Sequence, residues 1–176
     1  LLKQDNLRLR KILSLQESSN SEKITAAVIS RKTGSWWRQI ILNKGSKDGV
    51  EIGSTVVGPG GLLGRVKSTS LFTSSVTLIT SPDSKLGVWV DRTQINGLLV
   101  GLGNKSPSLI LYSKDADIKV GDFVSSSPAS TLLPPNIPIG IVKSIDETFK
   151  SKKTAKISLL AKPHLIDWVQ ILKVNI

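Results

Sequence analysis

Cysteine is absent from the 176 residues, so disulfides and thiolate metal sites are excluded. That rules out a disulfide framework and leaves the compartment open. A single histidine, His164, cannot furnish the ligand set of a transition-metal centre. Aromatic residues make up only 5% of the chain, too few for the interleaved stacking platform of a single-strand nucleic-acid binder. No run approaches the roughly 20 apolar residues of a membrane helix, so no span lies in this stretch. Acidic residues are outnumbered: 13 Asp+Glu stand against 24 Lys+Arg, a formal charge of +11. Such a field favours nucleic acid, acidic lipid or anionic wall polymer. The positive charges are nevertheless scattered, and only Lys150-Lys152-Lys153 approach a cluster. The chain opens without methionine and in mid-pattern at Leu1-Leu2, as expected of a fragment, and any signal or anchor would lie upstream.

Residues 1–17 contain good helix formers and neither Gly nor Pro. Leu2, Asn6, Leu9, Leu13 and Gln16 follow a 4-3-4-3 spacing, which is a heptad seam suited to dimerisation. Polar Asn6 within it costs stability and selects register and strand number. A second phase through Leu2, Asp5, Leu9 and Ile12 fits as well, and so does one amphipathic helix packed on its own domain. Ser18-Ser19-Asn20-Ser21 ends the helix as a polar linker.

Beyond Ile24 the pattern turns to short β-type runs separated by Gly, Pro, Ser, Asn and Asp. Strands are predicted near 25–30, 37–43, 54–58, 62–68, 75–80 and 86–91. A second series falls near 97–102, 108–113, 122–126, 138–145, 154–160 and 168–174. The two series correspond. Val50, Ile52 and Gly53 match Ile118, Val120 and Gly121 at a constant offset of 68 positions. Gly64-Arg65-Val66-Lys67-Ser68 matches Gly140-Ile141-Val142-Lys143-Ser144, and Val76–Pro82 resembles Ile157–Pro163. Trp89-Val90 and Trp168-Val169 follow in turn. The common order of these matches points to an internal duplication. Gly49 and Gly53 are expected at turns with positive φ, and Asp117, the counterpart of Gly49, is a residue that tolerates that region. Gly64 and Gly140, inside strands, mark tight barrel bends.

Candidate chemistry is sparse. A Ser-His-Asp arrangement has to use His164, with Asp167 nearby, and no serine sits in a nucleophile-elbow context. Gly58-Pro59-Gly60-Gly61 lacks the following Lys-Ser/Thr of a phosphate loop and reads as a strand-to-strand turn. Asp115, Asp117 and Asp122 are ordinary turn carboxylates. No catalytic residue, cofactor or metal is therefore assigned. Two stretches are candidates for partner contact. Trp36-Trp37 sends its rings to opposite strand faces, which leaves Trp36 as an external anchor or a ring under a loop. Leu132-Leu133-Pro134-Pro135 lies in an eight-residue addition of the second unit, as a binding tip or a loop folded back on its barrel.

Trp37-Arg38, Ile41–Val50, Gly61–Val66, Leu78–Ser84, Ile118–Asp122, Pro134-Pro135 and Pro138–Val142, in that order, resemble the rod-shape-determining MreC family. The resemblance implies two six-stranded, trypsin-like β-barrels behind an N-terminal coiled-coil helix. It implies a bitopic protein, its span upstream of Leu1, exposed on the outer (periplasmic) face of the cytoplasmic membrane. It also implies a non-catalytic scaffold of cell-wall elongation, a homodimer or filament. Its partners would be the elongation penicillin-binding transpeptidase, MreD and the MreB system, with no nucleic acid. Twelve strands divide either as consecutive sixes or nested. The family's nested arrangement suggests a coiled-coil helix and linker over 1–22, an inserted barrel over 36–107, and an outer barrel from 23–35 with 108–176. The alternative reading is a periplasmic adaptor of an efflux or secretion system, and a third is a basic RNA-binding barrel.

Overall fold

The computed structural model describes residues 2–5, 23–33 and 38–173. Residues 2–5 are helical and exposed, Leu2 included. Asn6, Leu9, Leu13, Gln16, Trp36 and Trp37 lie outside the described residues. Beyond the helical turn the regular structure of the described chain is β apart from two short 3-10 turns, and the twelve expected strands are all present. They are β1 (Lys23–Thr33), β2 (Arg38–Leu42), β3 (Thr55–Gly58), β4 (Gly61–Thr69), β5 (Ser74–Leu78) and β6 (Lys85–Val90). Then follow β7 (Asn96–Val100), β8 (Ser108–Leu111), β9 (Phe123–Ser126), β10 (Pro138–Asp146), β11 (Lys153–Leu159) and β12 (Trp168–Leu172). Period-two burial accounts for most of them: alternate residues of β5, β6 and β11 are buried.

The strands close into two antiparallel barrels, in the orders β1-β12-β3-β4-β5-β2 and β7-β6-β9-β10-β11-β8. Aligning the two orders pairs each strand with its repeat counterpart, except that β6 and β12 have changed places. Each six-strand unit keeps five strands and gives its last to the other barrel. The nested division therefore needs correcting. The inserted barrel is built from strands between residues 85 and 159, not 36–107, and the outer barrel from strands between 23 and 78 closed by 168–172. The shared strand is the last of each unit, not the first. Because both copies present the same gap between their first and third strands, repeat similarity alone cannot say which gap a strand fills. The connection after β5 carries the chain across, and packing against the second core holds it there. Backbone hydrogen bonds Ser81 N to Leu78 O and Ser84 N to Ser81 O (both 2.9 Å) turn the chain away from its own barrel. Ile79 then packs into the core of the other.

The duplication extends to irregularities. Register shifts occur between Val66 and Ser68 and, equivalently, between Val142 and Ser144. Gly53 and Gly121 have φ of 90° and 94°, and each donates its N–H to the carbonyl of Val66 or Val142 at 2.9 Å. A Cβ on Gly64 would meet the Thr77 carbonyl oxygen at 2.0 Å, and one on Gly140 the Ser158 oxygen at 2.5 Å. Only glycine lets these paired backbones approach at the bend. Asp117 is a correction: the only non-glycine residues with positive φ among those described are Gln94 and Asn136. The first copy has a 3-10 turn, Ser46–Asp48, whose C-terminal cap puts Gly49 at φ 91°. The second copy lacks that turn, so Asp117 needs no left-handed backbone.

The core is two clusters. One holds the first barrel with Val169 and Ile171 of β12 and Ala161 and Ile166 before it. The other fills the second barrel and takes in Val57, Leu62 and Ile79 from the first unit, so apolar packing continues from one barrel to the other.

Candidate interaction surfaces

Among the described residues, the one possible triad does not assemble. His164 is exposed in the turn Pro163–Leu165. The Asp167 carboxylate accepts a hydrogen bond from Arg31 Nη2 at 2.8 Å, and Arg31 also donates to the Pro163 and Ile166 carbonyls. The guanidinium fastens this turn to β1, and the orienting carboxylate of a triad is engaged elsewhere.

The acidic residues of the second repeated turn form an ion-pair clamp. Arg92 Nε and Nη2 each donate to Asp122 at 2.9 Å, and Nη1 and Nη2 donate to Asp117 at 3.1 and 3.2 Å. The Lys119 amide adds a 2.8 Å bond to Asp122. Burial works against ionised Asp122, but the Arg92 hydrogen bonds and the Lys119 amide outweigh it and hold its pKa below the usual carboxylate range. Asp117 is lowered chiefly by its Arg92 hydrogen bonds, and Arg92 is raised by Asp122 and then Asp117. In the first copy Ser54 replaces Asp122 and Lys173 lies beside Gly49. The clamp therefore belongs to one copy. Its role is structural: it ties the β6–β7 turn to the loop before β9.

The strand directions place the loop before β3, the β4–β5 hairpin, the start of β1 and the end of β12 at one end of the first barrel. The repeated turn exposes one aliphatic residue per copy, Ile52 and Val120, while Val50 and Ile118 go to the cores. Leu71 and Phe72 project from the β4–β5 hairpin, with Lys47 Nζ 5.2 Å from the Phe72 ring centroid. Phe149 projects from the β10–β11 hairpin under Lys152 Nζ, 4.6 Å away.

At the opposite end of the first barrel, Pro59, Leu160, Lys162, Leu165, Ile166, Asp167 and Trp168 line an open groove. Trp168 is 62% exposed and Leu165 70%. Trp168 faces outward because Val169 and Ile171 alternate into the core. Its neighbour on the same face is Ala27, with exposed Ile29 two residues beyond.

The candidate tip at 132–135 divides. Leu133 is buried in the second core, which corrects its assignment as a contact residue, while Leu132, Pro134 and Pro135 are exposed. The loop is folded back by Ser126, whose hydroxyl donates to the Pro134 carbonyl at 2.6 Å and accepts from the Ile137 amide at 2.8 Å. Sequence reasoning missed Phe72, Phe149, Leu165 and Trp168 as surface residues. For Phe72 a signal existed, since Leu71-Phe72 sits inside a predicted turn. Trp168 offered none, because as the first residue of a strand it can face either side.

Comparison with known proteins gives one result. The family description "Rod shape-determining protein MreC, barrel core" matches residues 28–173. The chain is 30% identical over 172 residues to the cell shape-determining protein MreC of Caulobacter vibrioides, covering 97% of the chain and 48% of that protein. It is 31% identical over 144 residues to that of Escherichia coli, covering 81% and 39%. The chain thus spans less than half the length of these relatives. A solved MreC structure superposes with a TM-score of 0.80 at 27% identity, covering 98% of this chain and 99% of the other. Another, from Helicobacter pylori and solved as a complex between Penicillin-Binding Protein (PBP2) and MreC, has a TM-score of 0.67. It is 16% identical, covers 88% of this chain and all of the other, and speaks to the fold alone.

Proposed function

The chain belongs to the rod shape-determining protein MreC family, and from that premise we propose that it is a non-catalytic scaffold of cell-wall elongation. It maintains rod shape by gathering peptidoglycan-synthesis proteins on the outer face of the cytoplasmic membrane, held there by a span upstream of Leu1. The observation that carries this reading is the groove around Trp168. An exposed tryptophan beside Leu165 and Pro59 is the kind of anchor on which protein interfaces concentrate their energy. The Helicobacter pylori MreC was solved in complex with PBP2, and a penicillin-binding protein is accordingly the partner we propose for the groove. Leu132, Pro134 and Pro135, with Trp36, are secondary candidates for partner contact. Self-association into a homodimer or filament falls to the heptad seam Leu2, Asn6, Leu9, Leu13 and Gln16, and MreD and the MreB system complete the assembly. Family membership favours this reading over the efflux-adaptor and RNA-binding ones.

The test is co-purification of the full-length protein with its transpeptidase. Trp168→Ala should lower capture at least tenfold with the folded structure intact, and cells relying on that variant should lose their rod shape. Unchanged capture and unchanged shape would remove the groove from the partner surface.

A further inference from the structure

The two copies of one hairpin differ in charge. In the first barrel the β4–β5 hairpin pairs Ser68 with Ser75, and in the second the β10–β11 hairpin pairs Ser144 with Lys156, so the second is five residues longer. Residues 67–75, KSTSLFTSS, carry one lysine. Residues 143–156, KSIDETFKSKKTAK, carry five. The first copy closes its barrel without them, so barrel closure does not require the extra lysines.

The carboxylates of the longer hairpin are already engaged. Asp146 Oδ1 accepts from the Thr148 amide and hydroxyl at 2.9 and 2.7 Å. Glu147 pairs with Lys153 at 3.4 Å. Strands β8, β10 and β11 contain no other Asp or Glu. Lys143, Lys150 and Lys156 are exposed, and none joins an ion pair among the described residues. Lys152 stands over Phe149.

We propose that the β10–β11 ribbon is a binding surface for a linear phosphodiester polyanion that carries no bases. Lys156, opposite Ser144, and the bulged Lys143 lie several residue rows from the tip that bears Lys150 and Lys152. At about 3.3 Å per residue the charges spread over roughly 10–20 Å along the ribbon. A chain lying along it meets all four, whereas a flat bilayer touching the tip meets two. The ribbon itself carries one aromatic, Phe149, whose face Lys152 covers, and the exposed Tyr112 beside it is a single ring, so successive nucleobases find no run of stacking partners. The +11 charge of the whole chain adds long-range attraction.

The test uses the full-length protein with fluorescent poly(glycerol phosphate), a charge-matched oligodeoxythymidylate, and vesicles of phosphatidylglycerol in phosphatidylcholine. Changing Lys143, Lys150, Lys152 and Lys156 together to Gln should weaken polymer binding at least tenfold. It should also flatten the log–log salt dependence by about 3, for four contacts at about 0.7 each. A second variant with Lys32, Lys85, Lys105 and Lys114 changed to Gln has the same net charge and should bind within twofold of the parent. Arginine at the four ribbon positions should retain binding, which separates charge from any effect on folding. Equal weakening by both Gln variants, tighter binding of the oligonucleotide, or capture by vesicles without capture by the polymer would each overturn the proposal.

Discussion

Replacing Ile171 with Ala tests the strand exchange directly. Ile171 is fully buried on β12, paired with Ile24 on one side and Val56 on the other, in the core of the first barrel. Its own repeat builds the second barrel. Removing three methyl-sized groups from a packed core loses their transfer free energy and leaves a cavity, together about 3 kcal/mol within a range of 2–5. For a domain of this size that corresponds to a fall in Tm of roughly 6–12 °C. Since each barrel is closed by a strand of the other's unit, neither can open alone. Urea unfolding followed by fluorescence and by circular dichroism should therefore give one shared transition, displaced by Ile171→Ala with an unchanged m-value. Val88→Ala, in the reciprocal strand β6, should displace that same transition. Two resolved transitions, each moved by only one of the substitutions, would refute the interlocking.

The clamp predicts pH dependence. Asp117 and Asp122 have folded pKa values below their unfolded ones, so their contribution is present above the unfolded pKa and lost as pH falls through the folded value. Unfolding free energy should thus fall as acid is added below about pH 4, and Asp122→Ala, costing about 2 kcal/mol at pH 7, should flatten that fall. Gly121→Ala meets open space at φ 94° and should cost only about 1 kcal/mol. Gly64→Ala must displace the Thr77 backbone and should cost distinctly more in the same denaturation assay. Trp168→Ala should change stability by less than about 1 kcal/mol, because most of the ring is already in water, which leaves partner capture as its readout.

Local pattern determined a great deal here. Alternating apolar residues, β-branched runs and Gly-Pro punctuation specify twelve strands, and the paired phrases around Gly53 and Gly121 specify two like units. Gly64 and Gly140 mark the bends because backbone crowding at a bend excludes every other residue. Burial in the 132–135 loop was not legible. Leu132 and Leu133 are chemically equal, and the hydrogen bonds of Ser126, seven residues before Leu133, fold the loop so that Leu133 enters the core. Nor was the clamp, since Arg92 lies 25 residues from Asp117 and meets it only through the exchanged strand. Strand ownership is the clearest case. A β-strand satisfies its hydrogen bonds in any gap of matching width and register, and duplicated units offer two such gaps. Local pattern therefore specified how many strands form and that they belong to two like units. Tertiary packing alone decided that β6 and β12 trade barrels, and with that where Trp168 emerges.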